Sequence, residues 1–421
     1  MDIMQEIRVA IIGTGAISNR HMKVWGHIPQ VKVVAAAEID EAKLKAWGER
    51  YGFDEKDLYT DFREMLKRDD IDAVDVCVHN NLHTPVSTYV LKAGYPCYSE
   101  KPMSATYFDS KLLYDTAIET GQKLAIQISS LYSMQTYIAK KVIEAGKLGD
   151  VYHARSATAS RRRRNAVDRP ALFSSVSFRE KEMAGHGQIV DLGCYHFGQM
   201  LYLLGLPELT CVLGKLHNGV AMPSEAWAKS HPMTVEDMGV GFATFANGLS
   251  LEIQEASAIN RDDFNDHYIM GSKGGLTWGM TDDFGGDWSM GGMGPMGPTG
   301  LPGPLQPQLK YRGLDEFGFD VTIDYNAYEN QQDVRAYDPE MLQYLDNQLH
   351  WYNYLIGKLT DETRYNTPLI GLNASLLTEG LVLSSELGRS VTADEIKAMS
   401  KSMGIWKQET PWGVFDYEAT L

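Results

Sequence analysis

Residues 7–21 read IRVAIIGTGAISNRH, a stretch that joins an apolar run to a glycine turn. The apolar run 8–12 predicts a buried strand, Gly13 and Gly15 predict a tight turn, and the residues after them predict the start of a helix. A turn of this kind brings main-chain N–H groups and the positive end of a helix dipole to one point, which suits a pyrophosphate. Short glycine patterns also occur in ordinary turns, so the rest of the chain has to support the assignment.

Size and composition restrict the classes of protein that need to be considered. The 421 residues exceed one ordinary core, so two domains are expected. A content of 44% hydrophobic and 22% charged residues is typical of globular proteins, and the net charge of -16 argues against a nucleic-acid partner, which would need a basic face. The four cysteines form no Cys-x-x-Cys pair, so neither disulfides nor a metal site is predicted.

Membrane and export signals are not recognised in the sequence. Apolar runs stay well below the roughly 18 residues that a membrane span requires. The first residues lack the basic segment of a signal peptide and lead directly into the first strand. We therefore expect a cytoplasmic protein with no membrane partner.

An acidic residue follows the second predicted strand, 31–37. Glu38 lies 20 residues after Ser18, the distance at which dinucleotide-binding folds place a carboxylate on the adenosine ribose hydroxyls. The next residue is Ile39, where an enzyme that binds a 2′-phosphate would have arginine. The pattern therefore favours NAD over NADP, although a glutamate that merely faces solvent at a strand end would look the same.

Strands and helices alternate up to residue 128, which predicts a doubly wound parallel sheet. Glu100-Lys101-Pro102 follows the strand 95–99, at the edge of the sheet where ligands bind. From residue 149 strands follow one another with few helices, which predicts an open, mainly antiparallel sheet. We therefore predict an α/β domain over 1–128 and an α+β domain over 129–421, with a loop insertion rich in Gly, Met and Pro at about 283–307.

Seven motifs, taken in order, resemble a known family. They are GTGAISNRH, Glu38, NNLH at 80–83, EKP at 100–102, GKLGDV at 146–151, GHGQIVDLGCYH at 185–196 and GSKGGL at 271–276. Together they resemble the Gfo/Idh/MocA oxidoreductases over nearly the whole chain, except in the insertion and the last 15 or so residues. The resemblance implies a Rossmann fold for the first domain and a dimer or tetramer.

The resemblance also implies roles for particular residues. Asn80 and His83 match the loop beside the nicotinamide ribose, and Asp191 matches the aspartate that positions the substrate. Lys101 matches the lysine that contacts both the substrate hydroxyl and the cofactor. The remaining matches are to cofactor-binding positions: Gly13, Gly15, Ala16 and Ile17 in the phosphate loop, Glu38 at the ribose, and Glu100 beside the lysine.

The chemistry of hydride removal from a secondary alcohol needs the same types of residue. A base must take the O–H proton, and a cation or donor must hold the oxygen. Lys101 can hold the oxygen and Asp191 can order the sugar hydroxyls. For the base, Tyr195 ranks before His196, because on a continuous helix Tyr195 lies about 40° from Asp191 and His196 about 140°. Either residue could instead be a packed helix residue with its polar atoms satisfied.

The sequence thus predicts an NAD-dependent oxidoreductase acting on a ring secondary hydroxyl of a sugar, glycoside or cyclitol. Two alternatives stay open: an NAD-dependent glycosidase or lyase that oxidises the ring transiently, and a sensor without activity. Arg161 to Arg164 form a basic run that is either a solvated loop or a contact for a substrate. Trp227, Trp278 and Trp288 could stack on a sugar ring, although a tryptophan is more often part of the core.

Overall fold

A computed structural model of the chain describes residues 5–159, 178–220, 224–230, 232–261, 264–279, 308–315, 317–325, 343–410 and 413–417. Three sequence predictions lie outside these residues: the insertion 283–307, the basic run at Arg161 to Arg164, and Trp288. The chain forms two compact units. The first contains Met1–Ile128, Asp346–Leu372 and Ser402–Leu421, and the second contains Ser129–Leu345 and Asn373–Lys401.

The first unit is built on a six-stranded sheet in the order β3-β2-β1-β4-β5-β6. All of its neighbouring strands are parallel, which confirms the predicted doubly wound sheet. The strand order reverses between β1 and β4, and in such sheets ligands bind at this point. The strands are β1 Ile7–Ile12, β2 Val31–Ala37, β3 Leu58–Tyr59, β4 Ala73–Val76, β5 Cys97–Ser99 and β6 Leu124–Ile126.

Helices connect these strands, and polar caps define several of their ends. Asp40 accepts the Lys43 N–H at the start of α2, and the Thr106 hydroxyl accepts the Asp109 N–H at the start of α5. The helices are α1 Ala16–Trp25, α2 Glu41–Tyr51, α3 Phe62–Met65, α4 His83–Lys92 and α5 Tyr107–Thr120.

The second unit contains a nine-stranded sheet in the order β14-β13-β12-β11-β7-β10-β9-β8-β15. Only β7 and β10 pair in parallel among these described strands, so the predicted mainly antiparallel sheet is confirmed. The strands are β7 Val151–Ala159, β8 Leu209–His217, β9 Met238–Phe245, β10 Ser250–Ala256, β11 Phe264–Gly271, β12 Gly274–Gly279, β13 Gln308–Leu314, β14 Asp320–Asp324 and β15 Val391–Thr392.

The sequence pattern over 188–204 predicts one helix in this unit, but the structure interrupts it. The structure has one short helix up to Asp191 and a second one from Gly193, separated by Leu192. Leu192 keeps a helical backbone (φ -97°, ψ -36°), so the chain does not change direction sharply. The helices between β6 and β10 are α6 Met134–Glu144, α7 Lys181–Ala184, α8 Gln188–Asp191, α9 Gly193–Leu203 and α10 Glu225–Ser230.

The last part of the chain does not follow the predicted domain division. Residues 346–372 and 402–421 belong to the first unit, although the sequence prediction placed them in the second. Lys123 beside the edge strand β6 donates to the Tyr354 carbonyl, and Thr367 accepts the Ile126 N–H, so this returning segment covers a sheet edge that would otherwise be exposed. The elements are α11 Asn347–Leu355, α12 Thr367–Leu387, α13 Ala393–Met399, β16 Lys407–Thr410 and β17 Gly413–Asp416.

The C-terminal hairpin β16–β17 docks on the first unit through an acidic residue and aromatic rings. Asp109 accepts hydrogen bonds from the Ser402 hydroxyl (2.6 Å) and from two N–H groups that follow it. Phe62 lies 6.2 Å from the rings of Phe415 and Tyr417, measured between centroids. None of the helices in the described ranges is long and apolar enough to cross a membrane.

Candidate active site

The glycine loop lies between β1 and α1, at the point where the strand order reverses. Gly13 has φ +93°, and a Cβ at this position would lie 2.6 Å from the Cys77 carbonyl oxygen, so only glycine fits. Gly15 is the N-cap of α1 and no side chain caps this helix, while Ala16 and Ile17 form its first turn. The Thr14 hydroxyl is buried and has no hydrogen-bond partner in the described part of the chain. Open N–H groups and an unsatisfied hydroxyl are what a phosphate would use.

Ser18 takes the third small position of the loop motif, where glycine is usual. It is fully buried, and its hydroxyl donates to the Gly15 carbonyl (2.7 Å) and accepts the Trp47 indole N–H (3.0 Å). Serine therefore fits because α2 supplies a donor for its oxygen. The sequence pattern did not indicate this contact.

Glu38 lies at the carboxyl end of β2 and faces the glycine loop. Its Oε2 accepts the Thr14 N–H (3.1 Å) and its Oε1 accepts the Asp40 N–H (3.2 Å). These contacts hold the carboxylate beside the loop, where it can still accept hydroxyl donors of a ribose. A 2′-phosphate would meet a negative charge here, so the loop and Glu38 together fit NAD.

Glu100 and Lys101 follow β5 at the same edge of the sheet. Glu100 is buried, and its Oε2 accepts the main-chain N–H of Lys101 (3.0 Å). The Lys101-Pro102 peptide bond is cis. The other carboxylate oxygen of Glu100, Oε1, contacts His21 Nε2 at 2.9 Å. His21 lies 79 residues earlier in the chain.

His21 joins Glu100 to a buried aspartate of the central strand β4. The His21 Nδ1 lies 2.9 Å from Asp75 Oδ2, and Trp25 donates its indole N–H to the same oxygen (2.7 Å). Burial is the largest effect and acts to lower the pKa of His21, but the attraction and hydrogen bonds of Asp75 and Cys77 together hold this pKa well above its usual value. Burial likewise opposes ionisation of Glu100, but the hydrogen bond from His21 lowers the pKa of Glu100.

His21, Asp75 and Cys77 are also a group whose donor atoms lie within 4.8 Å of one another, close enough to share a metal ion. The three side chains already contact each other, with Cys77 Sγ 3.4 Å from His21 Nδ1 and 3.5 Å from Asp75 Oδ1. Burial, followed by the Asp75 charge, raises the pKa of Cys77 to about 12, so its sulfur stays protonated. The prediction of no metal stays a prediction.

Asn80 and His83 lie in the loop that follows β4. Both are buried, and Asn80 begins a short 3₁₀ helix, Asn80–Leu82. His83 Nδ1 contacts the Pro102 carbonyl at 2.7 Å and Nε2 contacts the Val78 carbonyl at 3.1 Å. Burial lowers the pKa of His83. His83 therefore ties this loop to the Lys101-Pro102 turn through main-chain carbonyls.

In the second unit, the structure places Asp191 and Tyr195 on either side of Leu192. Asp191 is the buried last residue of α8, and Tyr195 is a half-buried residue of α9. The Ser130 hydroxyl donates to the Tyr195 carbonyl (2.6 Å), which fixes the start of α9. Tyr195 and Asp191 share a helix face only approximately, because the helix is interrupted at Leu192.

His196 is directed at the sheet of the second unit. Its Nδ1 lies 2.6 Å from an oxygen of Glu255 on β10, and its ring lies 5.4 Å from that of His267 on β11. His267 in turn stacks on Trp278 at 5.7 Å. Trp278 is buried, so it is part of the core rather than a platform for a sugar, and the side chain of Trp227 is outside the described structure.

Three polar residues near Asp191 were not recognised from the sequence. Gln188 and Glu236 are buried, and one oxygen of each has no hydrogen-bond partner in the described ranges. A Cβ at Gly187 would collide with the Glu236 carbonyl, so the α8 turn and Glu236 touch. Burial, and then Lys181, lowers the pKa of His186 to about 4, so this ring is neutral. Buried acceptors without donors suit a ligand rich in hydroxyl groups.

Comparisons with known proteins agree with this geometry. A model of an oxidoreductase family with an NAD-binding Rossmann fold, GFO_IDH_MocA, matches residues 7–128, and that of the GFO/IDH/MocA C-terminal domain matches 137–277. D-glucoside 3-dehydrogenase of Escherichia coli (strain K12) is 27% identical over 259 residues, which are 60% of this chain and 71% of that protein.

Two further similarities cover more of the chain. Levoglucosan dehydrogenase of Pseudarthrobacter phenanthrenivorans is 24% identical over 300 residues, 65% of this chain and 74% of that protein. The crystal structure of an oxidoreductase domain protein from Kribbella flavida aligns with a TM-score of 0.74 and 19% identity, covering 93% of this chain and all (100%) of that chain. The two family matches together cover more than half of the sequence, and the chain belongs to the Gfo/Idh/MocA family of NAD-binding oxidoreductases.

Proposed function

We propose that this protein oxidises a ring secondary hydroxyl of a sugar, glycoside or cyclitol with NAD. One observation carries the proposal: Lys101 follows β5 at the same carboxyl edge of the sheet as the glycine loop after β1. A cation at this edge is where an alcohol oxygen beside a bound dinucleotide would need it. The relatives named D-glucoside 3-dehydrogenase and levoglucosan dehydrogenase support a sugar as substrate.

The cofactor would be held by residues of the first unit alone. Gly13 would shape the loop, and the N–H groups of Gly15, Ala16 and Ile17 would bind the pyrophosphate. Glu38 would bind the adenosine ribose and Asn80 the nicotinamide ribose. His83 would shape this loop, since its ring nitrogens contact main-chain carbonyls. Bound NAD supplies the acceptor for the hydride.

The residues proposed to orient the substrate are Lys101, Asp191, Gln188 and Glu236. The Lys101 ammonium would hold the reacting oxygen, and Asp191 would accept other ring hydroxyls. Gln188 and Glu236 would accept further hydroxyl donors, because each has a buried oxygen without a partner in the described ranges. A sugar with fewer hydroxyls should therefore bind less tightly.

Tyr195 ranks first as the base, ahead of His196. His196 is turned to the sheet and bound to Glu255, which is how a packed helix residue satisfies its polar atom. Tyr195 follows Asp191 by one helical turn across Leu192, so it shares the face of that residue approximately. Exchange of Tyr195 for Phe should abolish turnover, whereas His196→Asn should leave most of it.

The test is a Lys101→Ala variant assayed on sugars, glycosides and inositols. We expect turnover to fall by about 100-fold or more, since the donor on the reacting oxygen is lost, while NAD still binds. Lys111→Ala, at a surface ion pair with Asp115 (2.5 Å), is the matched control and should be fully active. An active Lys101→Ala enzyme would contradict the assignment, and glycoside cleavage without net NADH would favour the glycosidase or lyase alternative.

The expected dimer or tetramer also stays a proposal. One face of the nine-stranded sheet exposes Leu213, Phe242 and Met270. These residues share one face because their strands pair in register through β7 and β10. A second copy of this chain would cover that apolar surface, and size-exclusion chromatography with light scattering measures whether it does.

A further inference from the structure

His21 lies in α1, close after the glycine loop, and is almost completely buried (2% exposed). Both of its ring nitrogens contact carboxylates: Nδ1 meets Asp75 on β4 and Nε2 meets Glu100 after β5. One imidazole therefore spans the two adjacent strands on the far side of the strand-order reversal. The main-chain carbonyl of His21 accepts the side-chain amide of Gln348 (3.2 Å), which ties α1 to α11.

Counting donors shows which form of the ring this arrangement requires. A carboxylate is an acceptor only, and a neutral imidazole has a single N–H. Asp75 also accepts from Trp25, and Glu100 also accepts from the Lys101 N–H. With each carboxylate in an accepting role, both nitrogens of His21 have to donate. The other groups that face the ring are the Cys77 thiol and the Tyr98 ring, whose centroid lies 5.8 Å away.

The contact with Glu100 reaches the residue that the proposed reaction needs. Glu100 uses one oxygen for His21 and the other for the Lys101 N–H. The carboxylate is therefore held at two points, and the main chain at Lys101 is held by it. If the His21 contact were absent, Glu100 would be free to rotate and the start of the Lys101 side chain would be less well defined. A displacement of about 1 Å at a reacting group costs about 100-fold in rate.

We propose that His21 is a positioning residue: through its contacts with Asp75 and Glu100 it anchors the Lys101 main chain to the central strands of the sheet. The proposal rests on the proposed function, in which Lys101 holds the substrate oxygen. His21 thereby connects the phosphate loop, which lies in front of α1, with the edge where the chemistry takes place. Nothing in its place in the glycine-loop motif requires that contact, because the loop itself would bind phosphate through main-chain N–H groups.

The kinetic test compares His21→Gln with Trp25→Phe. Glutamine has one donor nitrogen in place of the two ring nitrogens of His21, so we expect kcat to fall at least 10-fold while the Kd for NAD changes by less than about 3-fold. Trp25→Phe removes the other donor to Asp75 but leaves the His21 contacts, so its kcat should stay near that of the wild type. Equal kcat values for His21→Gln and the wild type, or equal losses in the two variants, would overturn the proposal.

A double variant tests whether His21 acts through Glu100. His21→Gln combined with Glu100→Gln should lose no more activity than Glu100→Gln alone, because the second substitution removes a contact that the first has already broken. Losses that multiply would mean that the two residues act independently, which contradicts the proposal. His21→Gln leaves the buried Asp75 carboxylate without a cation and could fail to fold for that reason. In that case the double variant His21→Gln with Asp75→Asn replaces His21→Gln in each comparison.

Hydrogen exchange at the Lys101 amide separates this proposal from the proposed function. That N–H donates to Glu100, so it should exchange at least 10-fold faster in His21→Gln than in the wild type and unchanged in Trp25→Phe. The measurement needs no substrate. Faster exchange in an enzyme that oxidises no sugar would mean that only the proposed function fails, whereas unchanged exchange overturns the positioning role whatever the activity.

Discussion

Each unit of this protein has a histidine–carboxylate contact, and the two contacts differ in burial and in the number of carboxylates that face the ring. His21 in the first unit is enclosed between Asp75 and Glu100, and both ring nitrogens are engaged. His196 in the second unit contacts one carboxylate, Glu255, and its side chain is 16% exposed. The first arrangement requires both ring nitrogens to donate, which needs a charged ring.

The number of acceptors that face a buried imidazole thus decides its protonation. Two carboxylates repay the cost of removing a cation from water, since each supplies both attraction and a hydrogen bond. Without such partners burial dominates: it lowers the pKa of His267, followed by the charges of His196 and Arg155, well below the usual value. A histidine with two carboxylates therefore strengthens the scaffold, whereas a neutral histidine resists protonation.

Asp75→Asn should cause the largest loss of folding stability. It removes one of the two charges that support the His21 cation, and breaking a buried pair costs about 3–5 kcal/mol. The midpoint of urea unfolding, followed by tryptophan fluorescence, should fall accordingly. Asp72→Asn is the matched control, because the pair of Asp72 with Arg8 is partly exposed (side chains 32% and 37%) and should cost less than about 1 kcal/mol. Equal losses would show that the buried cluster contributes no more than a surface pair.

The contributions of His21 and His186 to folding stability should depend on pH in opposite directions. The pKa of His21 is raised in the folded state, so its contribution to stability is complete below about 6.5 and is lost as the pH rises through the folded value. The pKa of His186 is lowered by burial and Lys181 to about 4, so its contribution is complete above about 6.5 and is lost as the pH falls towards 4. The size of that loss is up to about 3 kcal/mol.

Acidification from pH 7 to 5 should therefore destabilise the surroundings of His186 more than those of His21. Hydrogen exchange, corrected for intrinsic rates, measures this as faster opening at β11 than at β1. His186→Leu should remove part of the difference, because a leucine cannot be protonated. A larger loss of protection from hydrogen exchange in β1 than in β11 would contradict a charged His21 and a neutral His186.

The smallest expected effect is that of Glu255→Gln. A glutamine oxygen can still accept from His196, and this partly exposed ring can turn to water, so the loss should be about 1–3 kcal/mol. Thermal unfolding measures it, with Glu252→Gln on the same strand as the control, because Glu252 lies 3.8 Å from Arg155 in a partly exposed pair. A loss as large as that of Asp75→Asn would mean that His196 is as dependent on its carboxylate as His21.

Sequence patterns predicted the two sheets and the cofactor loop because each of them depends on neighbours in the chain. The glycine turn, the apolar strands and the spacing from Ser18 to Glu38 are local properties that periodicity and backbone conformation express directly. The helix break at Leu192 was not predicted, since the residues around it have the pattern of one helix. Asp75 inside the apolar strand AVDVCV was the one visible sign of a buried polar cluster.

By itself, then, the sequence determined a dinucleotide loop, a parallel sheet with an acidic residue for the ribose, and a lysine at the sheet edge. Only the tertiary structure decided that His21 meets Asp75 and Glu100, that Trp47 supplies the donor for Ser18, and that residues 346–372 return to the first unit. The physical reason is that such partners lie tens to hundreds of residues apart. Neighbouring strands lie about 4.7–4.9 Å apart, so the sheet brings together residues that are distant in the chain. A pattern of neighbouring residues does not contain this information.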